Sequence, residues 1–346
     1  MYFVLYDRQL NTIGSTYILE SWSRTRRAFD YDDAEIEGEQ IPANAEPFFV
    51  VVNDKRGHMS FSGLASTPIN DDKTLKTKIV LKDYRTLFNS DIVVDWSLFT
   101  GTSLKALFDF VLNIWKTQNG EIGFDNILFD TSALDTLLLD SDIELGQESE
   151  SFDTYQFLSE NMAYYSVWVD TSLDVHAKSL AFTFKRVGTE VVPIKLSDFG
   201  VTKIEKDFGE YNQATVYTDT LTKHGVWCLT ADNQIAKLPN TEIQRLYPVK
   251  NRNFIASSAE TADLNSAIYE AIMGLAKNRY AENFDLDATK YKAGDILYGL
   301  DFSTAVQVYT PEGYYKTLPV GSIEQNSKDK YIVGVGYRAQ ELTQIL

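Results

Sequence analysis

The chain has little of what usually carries catalysis. Its 346 residues contain one cysteine, Cys228, and three histidines, His58, His176 and His224. One cysteine excludes an internal disulfide and fits assembly in a reducing compartment. A nucleophilic triad needs an imidazole held between an acceptor and a Ser or Cys. No G-x-S-x-G elbow is present, and none of the three histidines lies in such a setting. In "HGVWC", His224 and Cys228 stand four apart, a ligand spacing for a helix. The stretch reads as a strand, however, and no second pair completes the ligand set that zinc takes. Long apolar runs are missing too, which excludes a transmembrane helix. The first residues, "MYFVLYDRQLNTIGSTY", lack the cationic start and apolar core of a signal peptide.

Phosphate and metal motifs are equally absent. There is no Walker A pattern, and the "GVG" at 334–336 lies within a strand pattern, not between strand and helix. The D-x-D pairs in "LLLDSD" and "NFDLDAT" do not continue as calcium loops. The acidic runs "FDYDDAEIE" and "DTLLLDSDIELGQESES" read as solvated loops. Glycoside hydrolysis needs only two carboxylates, so composition never refutes it. No catalytic, cofactor-binding or metal-ligating residue is assigned, and no cofactor is expected. Basic residues are outnumbered, 32 against 49 acidic, for a net charge of −17. Such a chain is a poor candidate for gripping a phosphate backbone, although a surface past which DNA slides should repel it.

Aromatic residues are abundant, with 20 Tyr, 20 Phe and 5 Trp. They favour strands and broad contact surfaces. The length exceeds what one core usually fills, about 250 to 300 residues. Within "RGHMSFSGLASTPINDDKTLKTKIVLKDYRTLFNSDI", alternation predicts Leu75, Thr77, Ile79 and Leu81 on a buried face, with Lys76, Lys78, Val80 and Lys82 opposite. "EPFFVVVNDKRGHMSFSGL" reads as two strands turning at Asn53, Asp54 and Gly57, which places His58 at a strand start. "DYRTLFN" reads as one helical turn.

The period then changes. Leu104, Leu107, Phe108, Val111, Leu112 and Trp115 form an amphipathic stripe, with Thr102 or Ser103 as cap and Gly120 beyond the end. A second helix is predicted from Ser151, carrying Phe152, Tyr155 and Leu158 inward. It leads into the two strands of "YYSVWVDTSLDVHAKSLAFTFKR". Strand patterns resume after Gly200. A third helix places Leu264, Ile268, Ala271, Ile272 and Leu275 on one side. A final meander turns at Gly294–Asp295 and Pro311–Glu312–Gly313. The expected division is a first β-barrel over 1–95 and an α+β insertion over 96–200. A bridging region of strands and a helix over 201–289 follows, then a second barrel meander over 290–346 that takes strands from 201–225.

"LKTKIVLKDYRTLF" and "SKDKYIVGVGYRAQEL" look like an internal repeat. Each runs from a lysine-bearing approach through an apolar strand into Tyr-Arg, at Tyr84–Arg85 and Tyr337–Arg338. The repeat predicts that strands 73–84 and 327–338 hold equivalent places in two barrels of one topology, and not in one continuous sheet.

This order of elements resembles the baseplate hub of bacteriophage tails, the group known as tail-associated lysins or prophage tail endopeptidase-like N-terminal modules. The stretches that carry it are "MYFVLYDRQLNTIG", "FFVVVNDKRGHMSFSGL" with the lysine strand, "NMAYYSVWVDTSLDVHAKSLAFTFKR", "AGDILYGLDFSTAVQVYTPEGYYKTL" and "KYIVGVGYRAQEL". The resemblance implies a β-rich α+β, multidomain fold, with two tail-tube-like β-barrels and mixed α/β insertions. It implies a homotrimeric structural hub at the virion tail tip of a phage or prophage, made in the host cytoplasm. Such a hub joins the ring of distal tail protein to the tip and forms or closes the channel for DNA ejection. The implied partners are that ring, the C-terminus of the tape-measure protein and receptor-binding proteins for host cell attachment. Genomic DNA would pass without specific binding, and no membrane anchor is implied. The family often continues into a lytic domain. Because this sequence ends at Leu346, it is expected to be no enzyme. The alternatives are a cell-wall-degrading enzyme of the tail tip and a carbohydrate-binding adhesion module, the latter because Trp and Tyr stack on sugars.

Overall fold

Side-chain alternation builds the first barrel. The structure, a computed structural model, describes residues 1–346 except 29, 43, 72, 120–125, 141–148, 196–199, 208, 232, 259, 280, 288–299, 311–312, 329 and 337–346. The barrel strands are β1 (Tyr2–Tyr6), β2 (Thr12–Arg27), β3 (Asp33–Glu39), β4 (Phe49–Asn53), β5 (Met59–Ala65) and β7 (Lys76–Lys82), with the short β6 (Ile69–Asp71) added beside β7. They run in the order β1-β4-β5-β7-β3-β2, and β2 pairs with β1 to close the ring. Phe3, Leu5, Ile36, Val50, Val52 and Ile79 fill its interior. β4 is buried at all five positions because its other face, Phe49 and Val51, packs into a second core. An uninterrupted apolar run is what a strand covered on both sides requires.

β7 buries Thr77, Ile79 and Leu81, as the alternation predicts. Leu75 departs from it. It sits in the preceding turn with φ +54° and is 65% exposed. The turn polar groups, led by Asp71 accepting from Lys73 N at 2.9 Å, end the alternation one residue early. "FDYDDAEIE" is no solvated loop either. Its second half is β3, whose outward acids face the lysines of β7, with Lys78 Nζ 2.7 Å from Glu35.

An α+β unit follows, built from β8 (Asp91–Asp95), α1 (Leu104–Gln118), β9 (Asn126–Asp130), β10 (Ser149–Asp153), α2 (Thr154–Tyr165), β11 (Val167–Asp174) and β12 (Ser179–Arg186). All six residues of the α1 stripe are buried, and Ser103 is the cap, accepting from Ala106 N at 3.2 Å. Gly120 lies outside the described residues. α2 starts three residues later than its sequence pattern predicts. Ser151–Asp153 pair with β8 instead, and the Asp153 carboxylate caps the helix through Gln156 N at 2.7 Å. Ser151 is taken up in the strand pairing, so the cap falls to Asp153 and the boundary with it.

The chain then lays down β13 (Glu190–Lys195) and β14 (Gly200–Asp207) and leaves again into a small unit. There β15 (Gln213–Tyr217), β16 (Lys223–Leu229), β17 (Ile235–Leu238) and β18 (Asn251–Ile255) form a sheet under α3 (Thr261–Lys277). Strand pairing divides residues 201–225: β14 joins the large sheet, while β15 and β16 join the small one. The chain returns through β19 (Ala281–Asp287), β20 (Thr304–Thr310), β21 (Gly313–Asn326) and β22 (Tyr331–Val335). Gly294–Asp295 and Pro311–Glu312 lie outside the described residues.

The second set of strands pairs in the order β13-β20-β21-β22-β19-β14. Numbered by their own sequence, both sets read first, fourth, fifth, sixth, third, second. β7 and β22 hold the same sixth place, as the repeat predicts. Every pairing from second to fourth place is antiparallel in both sets. Two things differ: β13 runs parallel to β20, where β1 runs antiparallel to β4, and among the described residues no β13–β14 pairing closes the second set as β1–β2 closes the first.

Two details of the predicted repeat are corrected. The barrels share one continuous sheet, because Ser23–Arg27 of β2 pairs with Ser322–Asn326 of β21. β2 is longer than its barrel needs. β1 occupies its edge only as far as Ile18, and β21 takes the remainder. The Tyr-Arg alignment is also out of phase. It shifts positions by an odd number, yet both strands bury odd-numbered residues, 77, 79 and 81 against 331, 333 and 335. A one-residue slip turns every side chain to the other face. The duplication is one of topology, and the shared Tyr-Arg does not mark it; Tyr337 and Arg338 lie outside the described residues.

Candidate interaction surface

The three histidines are all exposed. His58 is exposed in the β4–β5 turn, with Nδ1 3.5 Å from the Asp54 carboxylate. His176 and His224 are exposed as well. Cys228 is buried in β16, and four strand residues separate it from His224 by about 13 Å, beyond a shared ligand. Among the described residues no group of three His, Cys, Asp or Glu could hold a metal. No helix is long and apolar enough to cross a membrane.

Charge concentrates behind the seam between the barrels. From β2, Arg24 Nη2 stands 3.4 Å from Asp32 and Arg26 Nη2 stands 3.5 Å from Asp170 of β11. The Arg26 guanidinium also lies over the Phe302 ring at 5.2 Å, in the second barrel's core. Arg85 is buried and grips two carboxylates. Its Nε donates to Asp83 at 2.7 Å, its Nη2 donates to Asp83 as well, and Nη2 reaches Asp32 at 3.0 Å. Burial pushes the Asp83 carboxyl up, and Arg85 with the backbone donors of Asp32 and Arg85 more than reverses this, holding it below the usual carboxylate range. Asp32 and Asp83 are thus both engaged in ion pairs with Arg85. Beside them Tyr31 stacks on Tyr155 of α2 at 4.2 Å, and its hydroxyl donates to Asn89 at 2.5 Å. The sequence reading met Arg85 only as half of a repeat marker. The signal for its role is the Asp two residues before it, which fits a capped turn folding back on its own guanidinium.

A second joint ties the two inserted units. Glu160 of α2, almost fully buried, receives Lys277 Nζ of α3 at 2.6 Å. Arg279 donates to the carbonyls of Ala163 and Tyr164 at 2.7 and 2.9 Å, satisfying the end of α2.

In the large sheet three strands, β6, β13 and β14, have one edge without a strand partner among the described residues. β6 pairs only with β7, and β14 pairs only with β19. At the β6 end, Ile69 and Leu75 are 63% and 65% exposed. Edge backbone flanked by exposed apolar side chains is suited to receiving another strand.

No protein-family model and no curated protein matches the chain. Solved structures do. The 43 kDa tail protein of prophage MuSo2 from Shewanella oneidensis aligns over 98% of this chain and 98% of its own, at 14% identity and a TM-score of 0.50. The tail protein of Neisseria meningitidis MC58 aligns over 97% and 95%, at 10% identity and a TM-score of 0.50. A chain of the Francisella PdpA-VgrG complex aligns over 97% of this chain but 52% of its own, at 9% identity and a TM-score of 0.51. At these identities the fold is what is shared: this chain has the tail-protein, hub-like fold that its order of elements resembles.

Proposed function

We propose that the chain is a structural hub of a phage-type tail tip. The observation that carries this reading is the repeated strand order, in which a closed six-stranded barrel and a second set of six strands follow the same sequence of places. A three-fold object seats on a six-fold ring only by presenting six similar contacts, and three such chains present six. The hub is therefore a homotrimer that joins the distal tail protein ring to the tip. The tape-measure C-terminus and receptor-binding proteins are its further partners, and it frames the channel for DNA exit. The charge supports passage over binding, since three chains triple the −17 of one, and acidic walls let DNA slide. A structural role is supported by Arg85, which holds the adjacent carboxylates of Asp32 and Asp83 in ion pairs.

The test is solution mass by light scattering, alone and with a ring-forming distal tail protein. About three times the 39.2 kDa of one chain is expected in at least the second case. A monomer in both refutes the hub. Incubation with bacterial cell walls should release no reducing sugar or free amine. Release abolished by one carboxylate substitution would replace the hub with a hydrolase.

A further inference from the structure

Away from both sets of barrel strands, the small sheet under α3 ends in an uncovered edge. Its strands run β17-β16-β15-β18, and among the described residues β18 pairs only with β15, in parallel. Gln213 N donates to the Lys250 carbonyl and Ala256 N to that of Tyr217, both at 3.0 Å. In a ladder of this kind a strand bonds a given neighbour through every second residue. The even-numbered backbone of β18 is therefore turned to β15, and the N–H and C=O groups of Asn251, Asn253 and Ile255 point outward. All three residues are exposed, Ile255 by 57%. No proline and no bulge interrupts the strand, two devices that blunt such an edge.

The side chains give this edge a chemical preference. Arg252 and Phe254 pair with Ala214 and Val216 and so share the face that packs under α3. The Arg252 guanidinium lies over two rings, 5.3 Å from the centroid of Tyr211 and 5.4 Å from that of Phe254. Tyr211 is itself fixed, because α3 carries Gly274 where a Cβ would run into the Tyr211 hydroxyl. Arg252 is nonetheless exposed, and it makes no ion pair among the described residues. A guanidinium stacked on aromatic rings is oriented before any ligand arrives, and its planar fork matches a carboxylate. Lys250 stands two positions earlier on the same face, exposed, with Nζ 3.1 Å from the Gly209 carbonyl. The opposite face of β18 offers uncharged Asn251 and Asn253 and apolar Ile255.

We propose that β18 receives an extended, acidic segment of a partner protein as a fifth strand of the small sheet, with a carboxylate of that segment on Arg252. The outward backbone groups supply affinity, and Arg252 with Lys250 selects the partner. Charge favours this occupant over a second copy, since β18 itself contains no acid to set against Arg252. The inference does not depend on the hub reading, whose test is the trimeric mass.

Selection of binders from a randomised octapeptide library by the full chain tests this. The enriched peptides are expected to carry Asp or Glu and to bind more weakly as salt rises. Arg252→Glu should weaken the best of them by about tenfold or more. Asn253→Pro removes one outward N–H without touching a bond to β15, and should weaken binding similarly with circular dichroism unchanged. Arg56→Glu, at an exposed turn of the first barrel, should leave binding as it was. A library without enriched peptides overturns the proposal. Enriched peptides that lack carboxylates overturn the acidic partner, and binding that survives both β18 substitutions overturns the site. A dimer of the chain that Asn253→Pro disperses assigns the edge to a second copy and overturns the partner.

Discussion

Arg85 shows how much one side chain can hold. It is 3% exposed, it bridges Asp83 and Asp32, and its Nη1 reaches the Arg27 carbonyl at 3.5 Å. Removing one partner of a buried pair strands the other, at a cost of about 3 to 5 kcal/mol. Arg85→Ala should lose stability of that order in urea, and Arg85→Ala with Asp83→Ala should lose less than the sum of the single changes. Acid acts on the same pair with a definite sign. The Asp83 carboxyl titrates below its ordinary value, so its contribution is full above the carboxylate range and disappears as pH falls through the folded-state value. Below about pH 4 the melting temperature of the native chain should fall more steeply than that of Asp83→Asn. Equal slopes would show that the pair contributes nothing to acid lability. Ile79 is fully buried in the barrel, so Ile79→Ala should cost about 2 to 5 kcal/mol. His58→Ala, at an exposed turn, should be nearly neutral. The reverse ranking would mean that the inward face of β7 is misassigned.

At the scale of elements, strong periodicity was legible and boundaries were not. The α1 stripe identifies every buried residue of that helix, because a 3.6-residue period sustained over three turns has no strand equivalent. Ser103→Ala should cost about 1 kcal/mol, read as a shift in the urea midpoint with unchanged slope. Thr102→Ala should cost less, since the hydrogen bond to the first turn comes from Ser103. α2 was placed three residues early because Phe152 fits a helical stripe as well as a strand. Its ring stacks on Trp96 at 5.7 Å, a contact made from the strand. The start of β7 is masked for the opposite reason: Leu75 continues the alternation but stands in a left-handed turn. The charged cluster behind the seam is not legible in the sequence, since Arg24 and Arg26 of β2, Asp32, Arg85 and Asp170 come from four places in the chain and no spacing connects these places. The Tyr-Arg match that suggests the equivalence of β7 and β22 is out of phase with the strand register. What both strands share is a place in the sheet order, which is a property of pairing and leaves no mark in residue identity.

At the scale of the molecule, the seam makes two barrels one body, and Arg26 is where that coupling can be measured. Its guanidinium contacts the first barrel through Asp32 at 3.9 Å, the α+β unit through Asp170 at 3.5 Å and the second barrel through the Phe302 ring at 5.2 Å. The ion pairs are partly solvated, with Arg26 and Asp170 side chains 24% and 39% exposed, so each contributes at most about 1 kcal/mol. The contact with Phe302 adds about 0.5 to 2 kcal/mol. The backbone ladder from Ser23↔Asn326 to Arg27↔Ser322 does not depend on the side chain and should survive its loss. Arg26→Ala should therefore cost about 1 to 3 kcal/mol overall. Its effect should be concentrated in the seam: amide exchange should accelerate for residues 23–27 and 322–326 while the interior of the first barrel, at Val50 and Ile79, keeps its protection. Local opening at a lower free energy than global unfolding is the signature of a joint between cooperative units. If exchange instead accelerates equally throughout, the two barrels unfold as a single unit and Arg26 contributes only to global stability. If protection at the seam is unchanged, the ladder alone holds the barrels together and the arginine is dispensable.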